Sequence, residues 1–233
     1  MPREIMLSFF DHSTVMAQPW ADAGYLSYCI DTQHPRGETH DERNENIILV
    51  GADLHNWLPP QEGKIVFASF FLPATDLAGS GARAFHEKGI SKLIDTLSLF
   101  TRSVELAESL KCPYFIENSV STISSYWRPP DHAFDPCDYG DLYSKKSHLW
   151  VGGGFVMPTK ESVRPIEASL ERTNPRGFMP AGFAKAVFKA NAPRQRTTGQ
   201  APQPNVRDYP SKVAASLEAN CGCEVNETLP TVE

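Results

Sequence analysis

Short apolar runs recur along the first half of the chain, and three of them lead directly into an aspartate. The runs are EIMLSFF, YLSYCID, NIILVGAD and KIVFASFF, which lie at Glu4–Phe10, Tyr25–Asp31, Asn46–Asp53 and Lys64–Phe71. Continuous apolar runs of this length are typical of strands buried on both faces of a parallel sheet. The pattern predicts these four strands, a fifth at Pro113–Asn118 and a later one in HLWVGGGF.

Helical periodicity is clearest between the fourth and fifth strands, where apolar residues from Ile90 to Ala107 recur at helical spacing. They predict a helix over Ser91–Leu110. TVMAQPWADAG predicts an earlier helix, with Pro19 as a kink or early turn, and PAGFAKAVFKAN predicts a last helix at Pro180–Asn191. Strands and helices in alternation predict an open α/β sheet that binds ligands at the carboxyl ends of its strands.

Composition limits the classes of function. The chain has 233 residues, of which 41% are hydrophobic and 21% charged, as in an ordinary globular protein with one core. A net charge of -6 argues against a polycation that coats nucleic acid, so DNA binding would need a local basic surface. Five cysteines, an odd number, suit a reducing cytosol, and we expect a cytoplasmic protein without a membrane segment. Cys221-Gly-Cys223 is too closely spaced for a usual zinc site, so no metal is expected.

The alternating pattern ends at Asn191. Residues 192–212 are rich in proline and basic residues, whereas residues 213–233 contain glutamates and no lysine or arginine. This composition predicts a domain of residues 1–191 and a disordered tail of residues 192–233. In an alternative interpretation, the basic part contacts nucleic acid and the acidic end shields it.

Aspartates that end three predicted strands suggest a nucleotide-like cofactor lying across the strand tips. Asp31 follows Asp11 by 20 residues, a spacing at which a carboxylate can reach ribose hydroxyls, and Asp53 could accept a hydrogen bond from an adenine amino group. The first loop, FDHSTVMAQPW, contains no glycine, which argues against a dinucleotide because its pyrophosphate needs close backbone approach. S-adenosylmethionine, which has no phosphate, suits a glycine-poor turn.

The segment FIENSVSTISSYWRPPDHAFDPCDYGDLYSKKSHLW resembles the short phage- and plasmid-type DNA cytosine-5 methyltransferases, and the resemblance extends from Glu4 to Asn191. It implies the S-adenosylmethionine-dependent methyltransferase fold, a Rossmann-like, mostly parallel α/β sheet flanked by helices. MLSFFDHSTVMAQPWADAGY is similar to the family's cofactor loop. The cofactor-binding residues are thus expected to be Phe10, Asp11, Ser13, Thr14, Asp31 and Asp53.

The resemblance also identifies a departure at the family's nucleophile. Where the family has Pro-Pro-Cys-Thr, this chain has Leu72-Pro73-Ala74-Thr75. In the family, a thiolate adds to carbon 6 of a flipped cytosine while a glutamate assists at ring nitrogen 3. By resemblance, Glu117 and Asn118 hold the Watson–Crick edge of the base. The methyl group of Ala74, however, cannot add to carbon 6.

Two functional hypotheses follow. The chain is either a cytosine-5 methyltransferase homologue with impaired methyl transfer, or a non-catalytic protein that binds cofactor, double-stranded DNA or a protein partner. The substitution at Ala74 is engineered or natural, and two further departures, Leu72 and Ser119, favour natural drift. Phosphate contacts are expected from Arg83, Arg128, Lys145 and Lys146, although Arg83 could equally form a salt bridge and exposed lysines are often only solvated.

Overall fold

The computed structural model describes residues 3–73, 85–120, 123–141, 143–160 and 179–193, without the side chains of residues 85–88. The chain divides into one unit at Met1–Arg194 and a second at Gln195–Glu233. The second unit lies outside the described residues, so the predicted tail stays a prediction. Within the described ranges, no helix is long and apolar enough to cross a membrane.

The described residues of the first unit form a single sheet of eight strands. Their bounds are β1 Glu4–Phe9, β2 Leu26–Ile30, β3 Gly37–Asp41, β4 Asn44–Gly51, β5 Lys64–Phe71, β6 Tyr114–Ser119, β7 His132–Phe134 and β8 Ser147–Gly152. Their order across the sheet is β3-β4-β2-β1-β5-β6-β8-β7. The five central strands, from β4 to β6, pair in parallel, whereas β3, β8 and β7 form antiparallel pairs. The sheet is therefore mixed, with antiparallel pairs towards both edges.

Helices cover both faces of the sheet because the central strands are apolar on both sides. On one face, α2 (Phe85–Ser109) packs through Phe100 and Leu106 against a core that includes Phe9, Phe70 and Trp150. On the other face, α1 (Gln18–Asp22) and α4 (Ala181–Asn191) pack through Trp20 and Phe183 against Phe67, Phe115 and Leu149. A short helix, α3 (Ile123–Tyr126), follows β6.

The apolar runs located the central strands well, and two of the eight strands were missed. β5 has the predicted bounds, and β1, β2, β4, β6 and β8 differ from their predicted ranges by a few residues. β3 was placed in a polar loop because four of its five residues are exposed, so that it carries no apolar pattern. β7 has only three residues, too few to show an alternation.

Candidate functional site

The order in which the chain adds strands reverses between β1 and β5. The candidate residues lie around this point, at the edge formed by the carboxyl ends of the parallel strands. β1 pairs with β2 on one side and with β5 on the other, so the chain winds outward from the middle in both directions. Ligands of open α/β sheets bind in the crevice outside such a switch point. Phe10 and Asp11 follow β1, Asp31 follows β2, Asp53 follows β4, and Glu117 and Asn118 lie near the end of β6.

The loop between β1 and α1, residues 10–17 and here called the β1 loop, has an unusual backbone. Phe10 and Thr14 have φ angles of 60° and 62°, in the left-handed region, although neither is glycine. Each such residue costs on the order of 1–3 kcal/mol and persists only where its surroundings fix it. Left-handed residues let the chain turn tightly without glycine, which explains how a glycine-free sequence forms this loop.

Asp11 organises this loop from inside the protein. Its side chain is fully buried and accepts hydrogen bonds from the hydroxyls of Ser8 and Ser13, each at 2.9 Å. The backbone N–H groups of Thr14 and Met16 also donate to it. Burial raises the pKa of Asp11, and these four hydrogen bonds oppose the increase. Because the carboxyl group is surrounded by protein donors, its role in the described structure is to shape the loop.

A buried chain of hydroxyl groups links this loop to the switch point. The Ser69 hydroxyl on β5 donates to Ser8 on β1 at 3.1 Å, and Ser8 donates to Asp11. Both serines are fully buried. The loop conformation is thereby coupled to the two strands that border the crevice.

Asp31 lies beside this loop with one carboxylate oxygen held and the other open. It is 8% exposed, and its Oδ1 accepts the backbone N–H of Gln33 at 2.8 Å and the Gln33 side chain at 3.4 Å. Among the described residues, no donor reaches Oδ2. A fixed, nearly buried carboxylate with an available oxygen can accept a ligand hydroxyl.

Asp53 is half-exposed and paired with a histidine. His55 donates its backbone N–H to Asp53 Oδ1 at 2.9 Å, and its Nδ1 lies 2.9 Å from the same oxygen. These contacts lower the pKa of Asp53, mainly through the backbone hydrogen bond and then through the side-chain one. His55 Nε2 also contacts the Ser98 hydroxyl of α2 at 3.2 Å. Both His55 contacts with Asp53 use one oxygen, and His55 was not identified from the sequence.

Glu117 is the most buried carboxyl group on the β6 side of the crevice. It is 6% exposed, and burial raises its pKa, opposed by the charge of Lys145 and a hydrogen bond from Ser147. A glutamic acid whose neutral form is favoured can donate a hydrogen bond as well as accept one. Raised carboxyl pKa values of this kind are common at catalytic and binding sites.

Asn118 and His148 form a polar pair with unmet hydrogen-bonding capacity. They are register partners on β6 and β8. Asn118 is fully buried, and neither its Oδ1 nor its Nδ2 has a partner within the described part of the chain, nor does His148 Nδ1. Burial and the charge of Lys146 lower the pKa of His148. An unmet buried polar group costs about 1–3 kcal/mol, so this pair is a candidate contact for a ligand or an ordered water.

Glu117 and Asn118 face opposite sides of the sheet, because consecutive strand residues alternate. Glu117 shares its side with Phe115 and pairs opposite Leu149, whereas Asn118 shares its side with Ile116. The two side chains therefore do not converge on one flat ligand, and the carboxyl group is the better placed to meet a ligand near Ser147 and Lys145.

The residues predicted to contact DNA do not all lie at the same part of the sheet. Lys145 and Lys146 immediately precede β8, whose first residue pairs with the last residue of β6, so both lie at the carboxyl edge. Arg128 lies farther from that edge, because its carbonyl accepts the indole N–H of Trp150, a residue in the middle of β8. The Arg128 guanidinium pairs with Asp131 at 2.7 Å and stacks on Trp127. Ala74 and Arg83 lie outside the described residues.

A cleft of about 450 Å³ borders the β1 loop. It lies beside α1 and α4, and the residues that line it include Ser13, Thr14, Arg43, Lys185 and Phe188. Arg43 was not identified from the sequence, because its importance depends on a hairpin that the apolar pattern did not indicate. In the described ranges, His, Cys, Asp and Glu form no cluster of three that could hold a metal ion.

No protein-family profile matches the chain, and a search of curated proteins finds no significant match.

Proposed function

We propose that the chain is an S-adenosylmethionine-binding homologue of the DNA cytosine-5 methyltransferases whose methyl transfer is impaired because position 74 is alanine. The observation that carries the proposal is the position of the candidate residues at one edge of the sheet. The β1 loop, Asp31 and Asp53 follow three neighbouring strands on one side of the switch point, and Glu117 lies near the end of a strand on the other side.

The strand order supports the same fold family. The parallel strands β4-β2-β1-β5-β6 follow the order of the doubly wound nucleotide-binding sheet. Beside the fifth parallel strand, β6, the strand β8 runs antiparallel. The edge strand β3 is an addition to that plan.

The described residues fit the cofactor. Asp31 has an available oxygen for the ribose hydroxyls, and Asp53 has one for the adenine amino group. Phe10, whose φ angle of 60° is in the left-handed region, is the residue whose backbone we place closest to the methionine portion. When bound, S-adenosylmethionine would supply an electrophilic methyl group.

On the substrate side, this chain's contribution is to recognise the base. Glu117, with its raised pKa, can donate a hydrogen bond to ring nitrogen 3 of a flipped cytosine, and a hydrogen bond from Ser147 orients its carboxyl group. A methyl side chain at position 74 provides no nucleophile for carbon 6, and loss of a covalent nucleophile typically removes several orders of magnitude in rate.

A non-catalytic binding protein is the second candidate, and the alanine at position 74 favours it. Cofactor binding and base recognition need Asp31, Asp53 and Glu117 as much as catalysis does. The two candidates differ in whether restoring a thiol restores the reaction.

The first test measures S-adenosylmethionine binding by calorimetry to the wild type, Asp31→Ala and the control Glu62→Ala. Glu62 is exposed and lies just before the start of β5, at the opposite edge of the sheet from the candidate residues. We expect Asp31→Ala to weaken binding clearly, roughly tenfold for a lost hydrogen bond to a charged group, and Glu62→Ala to leave it unchanged. Unchanged affinity in Asp31→Ala would show that the cofactor placement is wrong.

The second test compares transfer of labelled methyl groups to mixed-sequence duplex DNA by the wild type and Ala74→Cys. Activity in the cysteine variant alone would identify an enzyme framework that lacks its nucleophile. Activity in neither, with cofactor binding intact, would favour the binding protein. Activity in both would contradict the proposed mechanism.

A further inference from the structure

The turn between β3 and β4 places an arginine against the β1 loop. β3 ends at Asp41 and β4 begins at Asn44, so Glu42 and Arg43 form a two-residue turn. Arg43 Nη2 donates to the Thr14 hydroxyl at 3.2 Å, across 29 residues of sequence. This contact joins the added edge hairpin to the proposed cofactor loop.

The guanidinium group of Arg43 is held in a fixed orientation by Asp41. Nε donates to Oδ1 at 3.0 Å and Nη2 donates to Oδ2 at 2.7 Å, which is a bidentate pair. Asp41 is 7% exposed, and the Arg43 backbone N–H also donates to it at 2.7 Å. A bidentate pair fixes the plane of the guanidinium, so the direction of its contact with Thr14 is set before any ligand binds.

Thr14 has a backbone conformation that is costly for its residue type, so it depends on contacts with its neighbours. It is β-branched, it is 3% exposed, and its φ of 62° is one that such residues rarely adopt. Asp11 accepts the Thr14 backbone N–H from the core side, and Arg43 holds its hydroxyl from the hairpin side. The Thr14 carbonyl also accepts the N–H of Gln18 at the start of α1.

We propose that Arg43 is a positioning residue that holds Thr14 and the β1 loop in the conformation that binds ligand, and that the β3–β4 hairpin serves to deliver it. The identity of the ligand as S-adenosylmethionine rests on the proposed function. The proposal that Arg43 supports the loop does not depend on it. In this role, Asp41 and Arg43 act through Thr14 and the loop backbone, and Arg43 itself makes no contact with the ligand.

The test uses calorimetry with S-adenosylmethionine on the full chain and four variants. Thr14→Val removes the hydroxyl at constant shape, Arg43→Met removes the guanidinium, and Arg43→Lys keeps the charge without the bidentate fork. The fourth, Glu42→Gln, is the control in the same turn. We expect the three loop-contact variants to weaken binding about three- to tenfold, and the control to match the wild type.

A double variant and an exchange measurement separate positioning from a general loss of structure. Because Arg43 and Thr14 act through one contact, Arg43→Met with Thr14→Val should weaken binding no more than either change alone. Amide hydrogen exchange at Val15 and Met16 should become faster in the Arg43 variants, while exchange in β5 and β6 stays unchanged.

Each outcome decides one proposal. If the wild type binds S-adenosylmethionine and the Arg43 and Thr14 variants bind it equally well, the positioning role is wrong. If the wild type does not bind the cofactor, the proposed function fails and loop exchange decides the role of Arg43: faster exchange in the Arg43 variants supports it, and unchanged exchange overturns it.

Discussion

Among single residues, Glu117 gives the clearest pH dependence. Its pKa is raised above the ordinary value of 4.5, so the folded protein holds this proton at pH values where the unfolded chain has lost it. The stability of the fold should therefore fall as pH rises from about 4.5 to the folded pKa, and then level off. Each tenfold increase in proton affinity corresponds to about 1.4 kcal/mol.

Glu117→Gln removes this proton equilibrium at nearly constant shape. Urea unfolding at a series of pH values should show the variant gaining stability over the wild type as pH rises above 4.5. Glu62→Gln, at an exposed position, is the control and should stay within about 0.5 kcal/mol of the wild type at every pH. A constant difference between Glu117→Gln and the wild type would show that burial does not disturb this carboxyl group.

The sequence indicated which carboxylates lie at the strand ends, but it did not indicate Arg43 or His148. Asp31 and Glu117 end apolar runs, and an apolar run followed by a carboxylate is a local pattern that sequence preserves. Arg43 and His148 carry no such pattern, because Arg43 contacts the side chain of Thr14, 29 residues away, and His148 pairs with Asn118 on another strand. The opposite facing of Glu117 and Asn118 was foreseeable from strand alternation alone.

At the scale of elements, α4 depends on one close backbone approach. A Cβ on Gly182 would lie 1.9 Å from the Tyr139 carbonyl oxygen, and Asp141 accepts the N–H groups of Ala181 and Gly182 at 3.1 Å. Alanine favours a helix over glycine by about 1 kcal/mol, but a clash with backbone cannot be relieved by a side-chain rotation. The clash should dominate.

Gly182→Ala is therefore expected to lower the free energy of unfolding by about 1–3 kcal/mol. Lys189→Ala, at an exposed position of the same helix, should change it by less than about 0.5 kcal/mol. Chemical denaturation of both variants provides the comparison. A Gly182→Ala variant as stable as the wild type would mean that α4 can move away from Tyr139 at no cost.

The sequence predicted the strands and helices whose apolar residues are buried in a core. It did not predict the strand that is held mainly by hydrogen bonds to a neighbouring strand. β5 and α4 are defined by apolar residues that face a core, and their predicted bounds match within one residue. β3 is held by its pairing with β4 and has an exposed surface, so its residues resemble a loop. The missed hairpin is the element that delivers Arg43.

For the molecule as a whole, the net charge of -6 requires any DNA contact to be local. Lys145 and Lys146 lie at the carboxyl edge beside β6, but the charge of Lys145 acts on the buried Glu117. Lys146 is exposed and is the better candidate for a phosphate contact. Lys64 offers a matched control, because it is exposed at the start of β5, on the opposite edge of the sheet.

The prediction concerns how duplex affinity depends on salt, measured by fluorescence anisotropy for the wild type, Lys146→Ala and Lys64→Ala. Loss of one phosphate contact lowers the slope of log affinity against log salt by about 0.9, because one fewer counterion is released. We expect that decrease in Lys146→Ala and an unchanged slope in Lys64→Ala. Equal decreases in both would assign the effect to net charge, and no binding by the wild type at low salt would exclude duplex DNA as the partner, because electrostatic contacts are strongest under that condition.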